Sequence, residues 1–234
     1  MKKFLTAAII ILLNTMVFGQ NKFVAGVEGN YYKPIGTLSS WFEPTAGGSI
    51  EFGKDVSETW TWTGKFQYYK FNQGNEDEFF IKSELEVGKE TQTFKIPLPD
   101  LEVELEIFGL SANANYHFFK NNYVYSDMQF GFGIYRWFSK RGEYYDSLYV
   151  DTTGTGEMKL AETLEVPQIK QKDWSGGFDI GLEVGTEILK PVSIYLGANY
   201  KVVVGEIWQA LALNMENISS FQMLNLRVGV RYKF

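Results

Sequence analysis

The sequence predicts an all-β protein: an eight-stranded antiparallel up-and-down transmembrane β-barrel with short periplasmic turns and long extracellular loops. Three observations lead to this prediction: strand-like alternation in eight segments, connections that are alternately short and long, and an apolar N-terminal segment typical of exported proteins. The alternation is clearest at the C-terminus, where every second residue from Leu224 to Phe234 is apolar. Arg227 and Arg231 lie between these residues. A strand with this pattern presents one face to lipid and the other to a polar interior.

The first residues have the pattern of a secretory signal peptide. Lys2 and Lys3 precede the ten-residue apolar run Phe4–Leu13, and cleavage is predicted before Gln20. A run of this length is too short to span a bilayer as a helix, which favours a signal peptide over an N-terminal anchor helix. The predicted division is therefore a signal peptide at 1–19 and an outer-membrane β-barrel at 20–234.

Composition restricts the class of protein further. The chain has 22 Lys+Arg against 28 Asp+Glu, a net charge of −6 that argues against nucleic acid as a partner. It contains no cysteine, which excludes disulfides, thiolate metal sites and lipid attachment to an N-terminal cysteine. After the signal segment, no apolar run approaches the roughly 18 residues that a spanning helix needs. A membrane form must then be a closed barrel, because an open sheet leaves backbone groups unpaired in hydrocarbon.

The first four predicted strands alternate apolar and polar residues. They are Phe23–Tyr32, Thr45–Gly53, Thr59–Phe71 and a segment that ends at Phe118. In the third strand, for example, Trp62 and Phe66 alternate with Thr63 and Lys65. Each segment is near or above the roughly 9–11 residues that cross a bilayer as a tilted strand.

The last four predicted strands have the same pattern. They are Tyr123–Phe138, Trp174–Thr186, Val192–Val204 and the C-terminal strand that ends at Phe234. Short connections at 54–58, 119–122 and 187–191 alternate with long ones at 72–105, 139–173 and 205–220, and 33–44 is intermediate. Short periplasmic turns and long extracellular loops are typical of outer-membrane barrels, and an even strand count places both termini on the periplasmic side.

An alternative with ten strands uses the segments 78–87 and 90–107 as an extra hairpin around Gly88 and Lys89. Glutamates spaced two apart, such as Glu102, Glu104 and Glu106, make this segment costly on a lipid-facing surface. We therefore expect a hairpin that extends strands three and four beyond the membrane, and a similar one at 144–164.

The chain resembles the eight-stranded bacterial outer-membrane barrels of the outer-membrane protein A transmembrane-domain and outer-membrane protein X type. The resemblance covers the predicted mature chain and depends on architecture and on the C-terminal alternating run. It implies that Val230, Tyr232 and Phe234 form the signal read by the barrel-insertion machinery. It also implies residence in the cell outer membrane, contact with outer-membrane lipid and a monomeric barrel.

The polar rows of the predicted strands carry five acids and five bases. They are Glu28, Glu51, Asp127, Asp179, Glu183, Lys65, Lys201, Arg227, Arg231 and Lys233. An eight-stranded barrel is just wide enough for side chains to fill it, and buried charges must pair. We expect a lumen plugged by ion pairs, in preference to an ion path. Glu28 and Arg227 have similar predicted heights in adjacent strands and are the predicted pair, with Glu183 and Lys201 at a neighbouring level.

Arg136 is an exception on the predicted lipid-facing row of the fifth strand. It lies beyond the tenth residue from Tyr123 and beside Trp137, at the expected height of the outer headgroups. An arginine there can bind a phosphate of lipopolysaccharide, or it can simply extend its cation into water.

Three functional classes are consistent with these sequence features. The leading one is a non-enzymatic outer-membrane barrel with a structural or surface-interaction role, whose extracellular partner is unknown. The alternatives are a soluble lipocalin-like barrel that binds an apolar ligand, and a lipid A-modifying enzyme. The single histidine, His117, lies near a predicted periplasmic turn, away from the outer leaflet, and no catalytic motif is present. We therefore expect no catalytic residues, cofactor or metal.

Overall fold

The computed structural model describes residues 23–75, 79–87, 90–98, 101–121, 123–150, 159–189, 191–207 and 218–234, so the predicted signal peptide at 1–19 lies outside the described residues. In chain order the elements of these ranges are β1 (Phe23–Ile35), a 3-10 helix (Gly36–Ser40), β2 (Thr45–Asp55), β3 (Trp60–Phe71), β4 (Phe80–Val87), β5 (Glu90–Pro97), β6 (Val103–Lys120), β7 (Val124–Arg141), β8 (Tyr144–Val150), β9 (Lys159–Val166), β10 (Ile169–Leu189), β11 (Val192–Val203) and β12 (Phe221–Lys233). No helix in the described ranges is long and apolar enough to cross a membrane.

Eight strands close into one antiparallel barrel in the order β1-β12-β11-β10-β7-β6-β3-β2. β1 pairs with β12 on one side and with β2 on the other, so the barrel has no free edge between its first and last strands. These are the eight strands that the alternating segments predict, and the predicted all-β, closed, antiparallel eight-stranded barrel is confirmed.

The two remaining strand pairs lie outside the barrel. β4 pairs with β5 and β8 with β9, each as a separate two-stranded sheet. The expectation of eight barrel strands instead of ten is confirmed, but the two hairpins form separate sheets and do not continue the ladders of the barrel strands. The predicted turn residues of the first hairpin, Gly88 and Lys89, lie outside the described residues.

The two ends of the barrel differ in their connections. One end, called here the turn end, has the connections 56–59, 121–123 and 190–191. The other end, called the loop end, has the connections 36–44, 72–102, 142–168 and 204–220, which follow from the strand bounds. Both Phe23 and Phe234 lie at the turn end, where their backbones exchange hydrogen bonds of 2.8 and 2.9 Å.

Side chains alternate between the outside and the inside of the barrel, as the pleat of a strand requires. On β12, Leu226 and Val228 are exposed on the outside, whereas Asn225 and Arg227 are buried inside. The same arrangement holds around the barrel, and it gives an exterior band of exposed apolar side chains, called here the apolar belt. Its members on β10 and β11 include Phe178, Ile180, Leu182, Val184, Ile194 and Leu196.

The polarity of the two faces inverts towards the loop end. On β7 the outward row changes from Phe132 and Ile134 to Arg136, while the inward row changes from Gln129 to Tyr135. Above this level the strands have the pattern of a water-soluble protein, with charged residues outside and apolar residues inside. This second pattern explains why the strands are longer than predicted: β6 begins at 103, β7 continues to 141 and β10 begins at 169.

The inward residues above this level form a continuous apolar cluster, called here the loop-end core. It comprises Tyr32, Leu38, Trp41, Phe42, Tyr69, Phe71, Phe79, Leu98, Leu101, Val103, Leu105, Ile107, Tyr135, Trp137, Val166, Val203, Ile207, Ile218, Phe221 and Met223. The expectation of a lumen plugged by ion pairs is therefore correct only for the turn half. In the loop half the plug is apolar, because residues of the 36–44 connection fold inwards: Leu38, Trp41 and Phe42 are buried.

Candidate functional site

The turn half of the lumen contains a cluster of buried charges, called here the charge network, and Glu28 on β1 is at its centre. Its Oε1 lies 3.0 Å from Nη1 of Arg227 and 2.8 Å from Nζ of Lys65. The Tyr195 hydroxyl also donates to Oε1 at 2.8 Å, and the Ser49 hydroxyl donates to Oε2 at 2.5 Å. The carboxylate is thus surrounded by donors, which is the condition under which a charge can be buried without a large penalty.

Glu183 on β10 extends the network by bridging two arginines. Its Oε2 lies 3.0 Å from Nη2 of Arg227, and its Oε1 lies 2.7 Å from Nη1 of Arg231. Glu51 holds the opposite side of Arg231, with Oε1 2.8 Å from Nε. These contacts connect β1, β2, β10 and β12 through side chains in addition to their backbone ladders.

Lumen-facing glycines provide the space for these large side chains. A Cβ atom at Gly229 would lie 2.3 Å from the ring of Tyr195, and one at Gly197 would lie 2.5 Å from Nε of Arg227. Even an alanine at either position would displace a member of the network. The Tyr195 ring in turn lies against Arg231, whose Cζ is 4.4 Å from the ring centroid.

Lys201 belongs to a separate group that is nearer to the loop end. Its Nζ lies 3.5 Å from Oδ2 of Asp179 and donates to Oε1 of Gln67 at 2.6 Å. It also lies over the ring of Tyr135, 5.3 Å from the centroid. Of the four predicted ion-pair residues, the structure therefore brings Glu28, Arg227 and Glu183 together, whereas Lys201 pairs with Asp179.

The single histidine lies in a polar chain at the turn end. His117 Nδ1 is 2.6 Å from Oδ1 of Asp127, and Nε2 is 2.9 Å from the hydroxyl of Thr61. An acid, an imidazole and a hydroxyl in this order resemble the machinery of a hydrolase. However, the Thr61 hydroxyl donates its only proton to Asp55 at 2.5 Å, and Asp55 also pairs with Lys233 at 3.0 Å. The hydroxyl is committed to a carboxylate and is buried, which favours a structural role.

Counting residues from the turn would not have found the His117–Asp127 contact. The two residues are cross-strand partners on β6 and β7, but the register shifts between His117 and Phe119. Counting outwards from the pair Lys120 and Tyr125 would have placed Phe118 opposite Asp127, because a bulge adds one residue to one strand only.

The predicted insertion signal lies on the outer face of β12. Val230, Tyr232 and Phe234 are exposed, and Phe234 belongs to an aromatic group at the turn end. Its ring centroid is 6.0 Å from that of Phe23 and 6.3 Å from that of Phe52. The group therefore connects the end of β12 to the start of β1 and to the end of β2.

Arg136 lies on the outer face of β7, immediately above the apolar belt. Its guanidinium carbon is 5.0 Å from the ring centroid of Phe138 and 5.2 Å from that of Trp174, which places the cation between two aromatic rings. Trp137 follows Arg136 in the sequence, but its side chain points into the barrel and donates to the hydroxyl of Ser175 at 2.8 Å. The aromatic partners of Arg136 come from alternate positions and from the adjacent strand, which sequence proximity did not predict.

Arg141, at the loop end of β7, is a buried cation. It donates to the carbonyl oxygen of Pro167 at 3.2 Å, and burial lowers the pKa of its guanidinium. It therefore holds the connection between β9 and β10 against the loop-end core.

No protein-family profile matches the chain, and no curated protein matches its sequence. Solved structures do match its fold. A major outer membrane protein from Thermus thermophilus has a TM-score of 0.51 at 13% identity, over 92% of this chain and 100% of that chain. This chain folds as a barrel of the outer-membrane type.

Two further matches have lower TM-scores. Neisserial surface protein A has a TM-score of 0.46 at 15% identity, over 91% of this chain and 97% of that chain. The outer membrane protease OmpT of Escherichia coli has a TM-score of 0.41 at 9% identity, over 92% of this chain and 96% of that chain. At these identities the likeness extends to the fold alone.

Proposed function

We propose that the protein is an integral outer-membrane barrel with a closed lumen, which acts through its loop end without catalysing a reaction. The observation that carries this proposal is the arrangement of the two faces in the turn half: apolar side chains are exposed outside and charged ones are buried inside. Water penalises such an exterior, whereas a bilayer favours it. On this proposal the turn end faces the periplasm and the loop end faces the outside of the cell.

The lipocalin-like alternative fits this arrangement poorly. A soluble barrel that binds an apolar ligand needs a polar exterior and an apolar interior at mid-barrel. Here the middle of the lumen is filled by Glu28, Arg227 and Glu183. The apolar part of the interior lies at the loop end and is packed with side chains of the chain itself.

Two layers of side chains in the lumen support the proposal that it is closed. The charge network fills the turn half and the loop-end core fills the other half, so an ion would have to displace both. We therefore propose a structural or surface-interaction role, with the loop-end connections and the two extra hairpins as the surface that an external partner would meet.

Location is tested by fractionation of cells that express the full chain, from which the cell is expected to remove the signal segment 1–19 during export. We expect Gln20 as the N-terminal residue of the mature protein, detergent-dependent extraction from the outer membrane, and a gel mobility that changes on heating. Recovery of a monomer from the soluble periplasmic fraction without detergent would reject the proposal in favour of the lipocalin-like class.

Catalysis is tested on the His117–Asp127 pair. Lipid A from cells that express wild type and His117→Ala at equal levels is compared by mass spectrometry, with cells that lack the protein as the control. We expect three identical spectra. A lipid A species that is present only with the wild-type protein would contradict the non-catalytic role.

A further inference from the structure

The outward surface of β7 and β10 at the loop end is basic, although the chain carries a net charge of −6. Three cross-strand pairs form this surface, called here the β7–β10 basic face: Trp174 with Arg136, Lys172 with Phe138, and Lys170 with Lys140. Residues on one face of a strand repeat about every 7 Å, and neighbouring strands are about 4.8 Å apart. Four cations therefore lie within an area that one lipid headgroup can cover.

The cation of Arg136 is held in place by its aromatic neighbours. Because Phe138 and Trp174 lie within cation–π distance, they restrict the position of the guanidinium. The N–H groups lie in the plane of the guanidinium and point outwards from its edge. Planar guanidinium edges of this kind bind phosphate through two parallel hydrogen bonds. In the described part of the chain, Arg136 forms no ion pair with a carboxylate.

Two of the nearby acids are engaged by residues outside the face, and a third by Lys140 within it. Glu104 pairs with Lys70 at 3.1 Å, and Glu106 accepts a hydrogen bond from the Tyr68 hydroxyl at 2.9 Å. Lys140 lies 3.7 Å from a carboxylate oxygen of Glu102.

Two lysines of the face remain exposed on β10. Among the residues that the structure describes, Lys170 and Lys172 have no carboxylate partner. A surface depression of about 350 Å³ lies beside them, lined by Lys140, Phe138 and the two lysines together with Glu104 and Glu106. The depression is open to a ligand from outside the barrel.

The height of the face identifies the kind of ligand. Ile134 ends the unbroken apolar run on the outward row of β7, and Arg136 follows it directly on that row. Trp174 is exposed at the same level on β10. Exposed tryptophans with cations just above them are typical of the boundary between hydrocarbon and headgroups.

We propose that the β7–β10 basic face binds the phosphate groups of lipid A in the outer leaflet. This inference rests on the proposed outer-membrane location. Several cations in one patch suit a headgroup with more than one phosphate, whereas a zwitterionic phospholipid would bring its own cation against Lys170 and Lys172. In the complex, Arg136 and the lysines contact phosphate, and Trp174 packs against the apolar part of the lipid.

The test is a titration of the purified, detergent-solubilised barrel with lipid A and with chemically dephosphorylated lipid A. Wild type is compared with Lys170→Gln/Lys172→Gln and with Arg136→Gln. The matched control is Lys33→Gln, because Lys33 is exposed on the outer face of β1, four strands from β7 around the barrel. We expect about a fivefold loss of affinity for each lysine removed, the factor that one cation contributes at an anionic surface, and no change in the control.

Each contrary result has a separate meaning. Equal binding of dephosphorylated lipid A, or equal losses in the Lys33→Gln control, would overturn phosphate recognition by this face. Equal binding of phosphatidylglycerol would assign the face to phospholipid and also overturn the proposal. These outcomes test the face only if the barrel requires detergent and shows heat-modifiable mobility. A protein that is soluble without detergent would instead reject the proposed location.

Discussion

Arg227 on β12 and Glu28 on β1 are joined across the closing seam of the barrel, with Nη1 and Oε1 3.0 Å apart. The two residues are not direct cross-strand partners, since Glu28 lies opposite Gly229 and Arg227 lies opposite Asn30. The contact is a diagonal one inside the lumen. Gly229, which has no side chain, leaves room for the ring of Tyr195, whose hydroxyl donates to the same oxygen of Glu28.

Removing Arg227 is expected to destabilise the barrel strongly. Arg227→Ala leaves the buried Glu28 with fewer donors, and loss of one partner of a buried pair typically costs about 3–5 kcal/mol. The measurement is the free energy of unfolding from lipid vesicles in urea. Lys33→Ala, a change at an exposed position of β1, is the control and is expected to stay within about 0.5 kcal/mol of wild type.

The double variant Glu28→Ala/Arg227→Ala is expected to recover part of this loss, because no uncompensated charge remains at the pair. Lys65 and Glu183 each lose one partner in the double variant, so recovery is incomplete. Strict additivity of the two single changes would contradict a direct interaction between Glu28 and Arg227.

Charge on the apolar belt is expected to be costly in proportion to depth. Leu196 lies near the middle of β11 on the outer face, and Leu196→Arg is expected to cost about 2–4 kcal/mol in a bilayer. Leu196→Phe keeps the apolar surface and is the matched control. A neutral Leu196→Arg in a bilayer-folding titration would mean that this position does not face lipid.

The neighbouring position tests the opposite face of the same strand. Gly197 points into the lumen, and Gly197→Ala would bring a methyl group against Arg227. We expect destabilisation from this small apolar change, by about 1–3 kcal/mol for an overpacked site. Equal stability of Gly197→Ala and wild type would show that the network can move aside.

The strand pattern could be predicted from the sequence because apolar and polar residues alternate with a period of two in each barrel strand. A shift of one residue would exchange the two faces completely, and the observed faces of β12 match the alternation of Leu226 and Val228 with Arg227. The similar heights of Glu28 and Arg227 could be estimated because β1 begins, and β12 ends, at the turn end.

Other contacts could not be predicted in this way. The contact of Lys201 with Gln67 depends on the relative heights of β11 and β3, which are separated by long connections, so it was not foreseen. Asp179 is the direct cross-strand partner of Lys201, but the register shifts between Glu187 and Leu189, which offsets this pair from a simple count outwards from the turn.

The loop-end core was missed because Trp41 and Phe42 lie in a connection that has no regular period. Its strand residues, such as Phe71, lie on the inward face, which the alternation lower in the same strands marks as polar.

The loop-end core is expected to be a separate source of stability. Phe71 is fully buried, and its ring centroid lies 5.7 Å from that of Phe42. Phe71→Ala is expected to cost about 3–5 kcal/mol in that core. Proteolysis of the loop end should become faster while the heat-modifiable band remains, with Phe66→Ala on the outer face of β3 as the control.

The contrary result for this prediction is also specific. If Phe71→Ala abolishes heat-modifiable mobility together with protease resistance, the two halves of the barrel unfold as one unit. In that case the loop-end core would be required for the barrel itself.

Phe234 is expected to control assembly. Phe234→Asp removes an aromatic ring that contacts Phe23 and Phe52 and places a charge at the end of the last outward row. We expect loss of the folded outer-membrane form and accumulation in the periplasm, measured by fractionation and heat-modifiable mobility. Phe234→Tyr is the matched control, and wild-type levels of folded Phe234→Asp would contradict the insertion signal.

The inversion of polarity along the strands has a consequence for how the protein responds to temperature. Belt side chains that meet lipid before and after local unfolding transfer little apolar surface to water, so they add little to the heat capacity of unfolding. The loop-end core is different, because its tyrosines, phenylalanines and tryptophans enter water when it opens. Its contribution therefore weakens on cooling, as apolar burial does in soluble proteins. On the proposed location, the part of this barrel that faces the medium is its cold-sensitive part, while the charge network keeps the other half closed.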